Sequence, residues 1–362
     1  MPLPVVDPSR YEQQLQQKAA ELAALFAEFD AGAPQLHRSA PEHYRLRAEF
    51  RLWHDKGQVD YVMFDPEAPQ VPVRLTHFPA GSTAINALMA PLRERLNGSD
   101  TLKRKLFQLE FLTTLSGEVL VTLIYHRKLD DEWEQAAREL ATQLDIMIIG
   151  RSRGQKLVLQ RDYVNEVLSV GSRRLRYRQI EGSFTQPNGG VNQQMLEWAC
   201  DAASDLSGDL LELYCGNGNF TVALAPQFRR VLATEISKSS VQVAVHNLAA
   251  NGIDNVALVR MSSEELTRAL HGEREFFRLR NLDLDDYQFS TLFVDPPRSG
   301  LDDGTLHLAA RFDNILYISC NPQTLHANLR TLNETHRAVR FALFDQFPYT
   351  HHTECGVLLQ RR

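Results

Sequence analysis

The sequence predicts two domains: a doubly wound α/β domain in the C-terminal half and, ahead of it, an α+β domain with a mainly antiparallel sheet. Three observations carry that reading. From Gly208 onward, short apolar runs at 210–213, 230–234, 256–259, 291–294 and 315–318 alternate with helical stretches such as 239–250 and 306–312, the pattern of parallel strands covered on both faces. Between residues 40 and 170, alternating runs separated by tight turns dominate instead, as in antiparallel sheets. A chain of 362 residues is also long enough for two separate cores. The expected boundaries are 1–39 for an N-terminal helical segment, 40–170 for the α+β domain and 171–362 for the α/β domain, with the first segment a candidate to pack on the last.

Taken in order, 11–29 is rich in helix formers, with Leu15, Ala19, Leu22, Leu25 and Phe26 along one apolar face. Residues 44–52 and 59–64 alternate like paired strands, and 83–96 reads as a helix. The runs 107–114 and 119–125 flank Ser116-Gly117-Glu118, a hairpin signature. A helix over 133–144 and short strands at 146–149, 157–160 and 163–169 complete the first domain. Two strands, around 340–344 and 356–360, close the chain.

The net charge of −6 argues against coating nucleic acid or membranes by charge alone, but it leaves room for a local basic face. Basic residues cluster at Arg93, Arg95, Lys103, Arg104 and Lys105, at Arg151, Arg153 and Lys156, and at Arg173, Arg174, Arg176 and Arg178. Phe107, Phe111, Tyr125 and Tyr177 lie among them, a mixture that suits phosphate contacts and base stacking and equally an ordinary solvated surface over a core. Cys200, Cys215, Cys320 and Cys355 form no CxxC pair, so no disulfide framework, metal site or iron–sulfur cluster is expected. The adjacent His351 and His352 lack a spaced third ligand for zinc. Neither an apolar signal core nor a run of membrane-spanning length is present. A cytoplasmic monomer without membrane contact is the expectation.

The candidate chemistry lies at strand ends. Cys320 follows the run 314–318, and Asn321-Pro322 after it reads as an N-cap and first helical residue. A helix N-terminus beside the sulfur is expected to lower the thiol pKa. Residues 212–220, ELYCGNGNF, join the first strand of the α/β half to a helix, with Gly216 and Gly218 allowing a tight turn and close ligand approach. Glu235 ends the next strand, where a carboxylate can accept hydrogen bonds from ribose hydroxyls. Asp295, followed by two prolines and Arg298, ends a later strand at the same carboxyl edge. The last strand is expected to run antiparallel, which brings Glu354 at its start to that edge too. A thiol nucleophile, a carboxylate base and a nucleoside-type cofactor would then share one rim.

These motifs resemble those of the S-adenosylmethionine-dependent RNA uracil-5-methyltransferase family. The resemblance rests on ELYCGNGNF, DPPR at 295–298, SCNP at 319–322, FTQPN at 184–188 and QFPYTHHTECG at 346–356, and it extends over nearly the full chain. It implies a class I, Rossmann-like methyltransferase domain and an N-terminal RNA-binding domain. It further implies methylation of carbon 5 of uridine 54 in the T loop of tRNA, and of the equivalent loop uridine of transfer-messenger RNA. Matched position by position, it makes Cys320 the nucleophile and Glu354 the proton acceptor, with Gln186, Tyr214, Gly216, Asn219, Glu235 and Asp295 at the S-adenosylmethionine site. Relatives acting on ribosomal RNA typically carry a four-cysteine motif near the N-terminus, whereas the first cysteine here is Cys200; that favours tRNA. Two rival readings are a methyltransferase for an exocyclic amine, which would not need the cysteine, and an RNA-binding or folding module.

Overall fold

The structure, a computed structural model, describes residues 6–65 and 68–362. The chain divides into two compact units: Ala40–Val167 with Arg178–Gly190, and Arg10–Ser39 with Leu168–Tyr177 and Val191–Arg362. It opens with α1 (Tyr11–Leu25), a 3-10 turn at Ala27–Phe29 and the short strand β1 (Gln35–His37), all in the second unit. The expected single helix over 11–29 thus breaks at Phe26.

The first unit is built from β2 (Arg47–Asp55), β3 (Gln58–Asp65), β4 (Ala68–Leu75), α2 (Thr83–Asn97), α3 (Asp100–Lys103), β5 (Leu106–Thr113), β6 (Val119–Tyr125), α4 (Asp131–Leu144), β7 (Met147–Ser152) and β8 (Gln155–Val158). Its sheet runs β4-β3-β2-β5-β6-β7-β8, antiparallel except where β6 meets β7. Helices start where side chains satisfy their first amides: Ser82 Oγ accepts from Ile85 N and Asp130 Oδ1 from Trp133 N. Trp133 of α4 lies so close to β7 that a Cβ on Gly150 would run into its ring at Cη2. Phe111 and Tyr125, noted above among the basic clusters, are core residues of this unit. Phe107 alone of that group faces outward, stacked on His126 with ring centroids 4.1 Å apart and with Arg51 4.0 Å above it.

The chain continues through the paired strands β9 (Tyr163–Val170) and β10 (Arg173–Ile180) and into α5 (Gly189–Ala202). In β10, Leu175 and Tyr177 are buried while Arg174 and Arg176 are exposed. Arg174 and Arg176 are therefore outward residues of a strand, Arg173 instead donates inward to Ala223 O, and Tyr177 belongs to the core.

The second unit holds β11 (Asp209–Leu213), α6 (Asn219–Leu224), β12 (Arg230–Glu235), α7 (Lys238–Ala250), β13 (Val256–Arg260), α8 (Ser263–Leu270), β14 (Phe289–Val294), α9 (Asp303–Ala309), β15 (Asn314–Ser319), α10 (Pro322–Leu332), β16 (His336–Phe344) and β17 (Glu354–Arg361). The sheet order is β1-β16-β17-β15-β14-β11-β12-β13, with only β17 antiparallel to its neighbours. Separate apolar clusters cover the two faces, as a doubly wound sheet requires. Leu15 and Leu22 of α1, and Phe26 just after it, join one of them with Leu325 and Leu329 of α10 and Phe341 of β16. Among the described residues, no helix is long and apolar enough to cross a membrane.

Candidate active site

Strand direction sets the site. The strands β11, β12, β14 and β15 are parallel, so their carboxyl ends share one edge, and the antiparallel β17 begins there. Leu213 is in register with Val294, and Val294 with Tyr317, so Tyr214 and Asp295 each stand one residue past paired strand ends. Ser319 pairs with Cys355, and Phe344 with Glu354. One step further along that antiparallel register, Cys320 comes opposite Glu354.

Cys320 is held by its neighbours on both sides. Asn321 caps α10 through its Oδ1, which accepts from Gln323 N at 3.3 Å, and Pro322 occupies the first helical turn. The Asn321 Nδ2 donates to Arg298 O at 2.9 Å, tying this helix start to the loop that follows Asp295. The expected low thiol pKa is not what these surroundings produce. Burial, then the charges of Glu354 and Asp295, push Cys320 up to about 11, against smaller opposing effects of Arg298 and the local backbone N–H. Burial also pushes Asp295 up to about 7 and, with the Asp295 charge added, holds Glu354 well above the carboxylate range. Two carboxyls and a thiol facing one another in a sheltered rim carry less than their full negative charge at neutral pH. Cys215 and Cys355 are buried, and burial raises both thiols far out of reach, which leaves Cys320 as the thiol at this edge that is partly open.

The glycine stretch forms the adjacent part of the edge. Tyr214, Gly216 and Gly218 all have positive φ, at 61°, 56° and 81°, a sequence of left-handed residues that turns the backbone sharply before α6. The turn is held from several sides: Cys215 N donates to Thr234 O, Asn247 Nδ2 of α7 to Asn217 O, and Gly216 N to Glu235 Oε2 at 3.1 Å. Glu235 Oε1 accepts from Ser237 N, so the carboxylate is oriented by two amides and keeps lone pairs for a ligand. A Cβ on Gly216 would meet nothing within 4 Å, so the turn opens onto free space. Ile236, exposed beside Glu235, offers an apolar face there. Beneath the turn, Glu212 is fully buried, and burial, opposed by a hydrogen bond with Thr221, pushes it up to about 8. An oriented acid, an open turn and an apolar face fit a nucleoside.

The remaining expected residues differ in availability. Tyr214 is half-buried, its hydroxyl donating to Ser263 Oγ at 2.8 Å. Asn219 forms a reciprocal amide pair with Asn192 of α5, at 2.9 and 3.0 Å, so its side chain serves the start of α6. Gln186 lies in the first unit, half-buried between β10 and α5. Asn192, Asn247, Glu212 and Ile236 were not singled out from the sequence. Only Glu212 had a visible signal, an acidic residue inside an otherwise apolar strand.

A sequence profile of the family described as tRNA (Uracil-5-)-methyltransferase matches residues 10–362. The chain is 60% identical over 362 residues to the tRNA/tmRNA (uracil-C(5))-methyltransferase of Aromatoleum aromaticum, covering 100% of this chain and 98% of that protein. It is 59% identical over 362 residues to the protein of the same name from Dechloromonas aromatica, covering 100% of both. Among solved structures, the Pyrococcus abyssi tRNA (uracil-54, C5)-methyltransferase in complex with S-adenosyl-L-homocysteine superposes with a TM-score of 0.73 at 20% identity, covering 96% of this chain and 83% of that one. That likeness shows a common fold.

Proposed function

Because this chain belongs to the tRNA (uracil-5-)-methyltransferase family, we propose that it methylates carbon 5 of uridine 54 in the tRNA T loop and the equivalent loop uridine of transfer-messenger RNA. The observation that carries the reading is the meeting of Cys320, Glu354 and Asp295 at one sheet edge beside an open glycine turn. S-adenosylmethionine, when bound, supplies an electrophilic methyl group. Gly216, Glu235 and Ile236 would hold its nucleoside part, with Tyr214, Asn219 and Gln186 the further candidates that the family resemblance suggests.

Carbon 5 of uracil is a weak nucleophile until carbon 6 is attacked. Cys320 adds its sulfur to carbon 6, and the thiol proton passes to Asp295, the neighbouring carboxyl with a pKa near neutrality. Carbon 5, now enolate-like, takes the methyl group and is left carrying both that methyl and its original hydrogen. Glu354, which must be in its ionised form to act, accepts this proton, the double bond re-forms, the bond between sulfur and carbon 6 breaks, and the departing thiolate takes back the proton held by Asp295. Extruding the base costs roughly a few kcal/mol, less for a loop base than for a paired one, which suits a T-loop target. The first unit is the candidate RNA binder, through the Arg51–Phe107–His126 stack and the exposed Arg104 and Lys105.

Two variants test the roles. Cys320→Ala should abolish methylation of a tRNA transcript while S-adenosylhomocysteine still binds; normal turnover would rule out the covalent route. Glu354→Gln should trap a methylated protein–RNA adduct on a denaturing gel, since elimination waits on proton removal. Unchanged turnover with no adduct would place the base elsewhere.

A further inference from the structure

We propose that Lys18, on α1, is a positioning residue for proton removal: it fastens the loop that delivers Glu354. The inference rests on the reading of Glu354 as the proton acceptor. Glu354 is the first residue of β17, and the chain reaches it from the end of β16 through 345–353. A single ammonium group gathers both ends of that loop. Lys18 Nζ donates to Asp345 Oδ1 at 2.8 Å, to Phe347 O at 2.8 Å and to His352 O at 3.0 Å. Asp345 is the residue directly after β16, and His352 lies two residues before Glu354.

Other bonds make the arrangement specific. Gln14, one turn earlier on α1, donates from Nε2 to the second Asp345 oxygen at 2.8 Å. Asp345 N donates to His37 O of β1. Inside the loop, Thr350 Oγ1 donates to Phe347 O and accepts from His352 N. Arg298 donates to His352 Nδ1 at 3.4 Å, joining the loop to the segment after Asp295.

Lys18 and Asp345 are 7% and 1% exposed, and lysine is seldom so buried. A buried ion pair is a weak device for stability, because desolvation cancels most of the attraction. What this pair adds is geometry. An ammonium with three donors can meet one carboxylate and two carbonyls that converge on a point, whereas the planar fork of an arginine cannot. Apolar replacements would fill the space and leave the two loop carbonyls without a common partner. Glu354 would then lose the tether that fixes its distance from Cys320.

The test uses the full-length protein with an unmodified tRNA transcript. Lys18→Met alone would strand a buried carboxylate, so the principal variant is Lys18→Met/Asp345→Asn, with Lys18→Arg as a second that keeps the charge. Thermal melts and S-adenosylhomocysteine affinity are measured beside single-turnover methyl transfer, product release and adduct on a denaturing gel. The expected result is near-normal cofactor affinity and methyl transfer, with product release about ten- to a hundredfold slower and an adduct accumulating; Lys18→Arg should show the same defect in smaller measure. Wild-type release without adduct in either variant would overturn the role, as would loss of cofactor affinity and turnover together, which marks a merely structural contact. If Glu354→Gln accumulates adduct and the Lys18 variants do not, only the role of Lys18 fails. If Glu354→Gln itself accumulates none and turns over normally, the proton acceptor is misassigned and this inference falls with it.

Discussion

Cys320 rests as a thiol, because burial and the charges around it outweigh the helix it precedes. Burial raises its pKa most, the Glu354 and Asp295 charges raise it further, and Arg298 and the local backbone N–H only partly offset them. Removing one of those charges should therefore ease ionisation. In a Cys200→Ser background, the pH profile of iodoacetamide alkylation should have its inflection at lower pH for Asp295→Asn than for the parent; an unmoved inflection would contradict the electrostatic account. Glu212 gives a second, independent reading. Its folded pKa of about 8 lies above the ordinary 4.5, so the folded chain binds an extra proton between those values. The stability linked to that proton is fully present below the unfolded pKa and is lost as pH rises through about 8. Glu212→Gln should flatten the fall in melting temperature between about pH 5 and about pH 9, and a slope as steep as that of the parent would refute the assignment. Neither pKa could be read from the sequence. A strand-end position tells where a carboxyl or thiol sits along the chain, and its proton affinity depends on which other strand ends are its neighbours.

At the scale of elements, close approaches of backbone to side chain set the tolerances. Gly150→Ala should destabilise the protein by about 1–3 kcal/mol in denaturant melts, because its Cβ would be driven into the Trp133 ring and both are inside a packed layer. Gly218→Ala should cost about 1 kcal/mol from its positive φ and should also weaken S-adenosylmethionine binding, since it starts α6 beneath the turn. In the second unit β11, β12, β14, β15 and β17 were legible because each is an apolar run buried over most of its length, whereas the short β1, with no buried residue, carried no such signal. β10 was hidden because arginine at every second position drew attention to charge, although the same alternation is a strand signal. For Phe111 and Tyr125 the sequence left base stacking and core packing equally open, and the structure decides for the core. In α1, Lys18 falls between Leu15 and Leu22 on the buried stripe, a visible anomaly whose partner, Asp345, lies 327 residues away and could not be paired from sequence.

For the whole molecule, a net charge of −6 and a basic, aromatic surface feature in the first unit are compatible, since an RNA partner would be met by a local face and not by the average. The family matched over 10–362 was already legible in five short motifs, four of which lie at strand ends and in the loops at the carboxyl edge of the second unit's sheet. The supports behind them, including Asn247 under the glycine turn and Lys18 under the Glu354 loop, emerge only from the folded chain. The most direct test of the central claim is methyl transfer from labelled S-adenosylmethionine to unmodified tRNA and ribosomal RNA transcripts, followed by nucleoside identification and position mapping. The account predicts 5-methyluridine at position 54 of the tRNA T loop, lost in Cys320→Ala. Label on an exocyclic amine, in ribosomal RNA alone, or in neither RNA would contradict it.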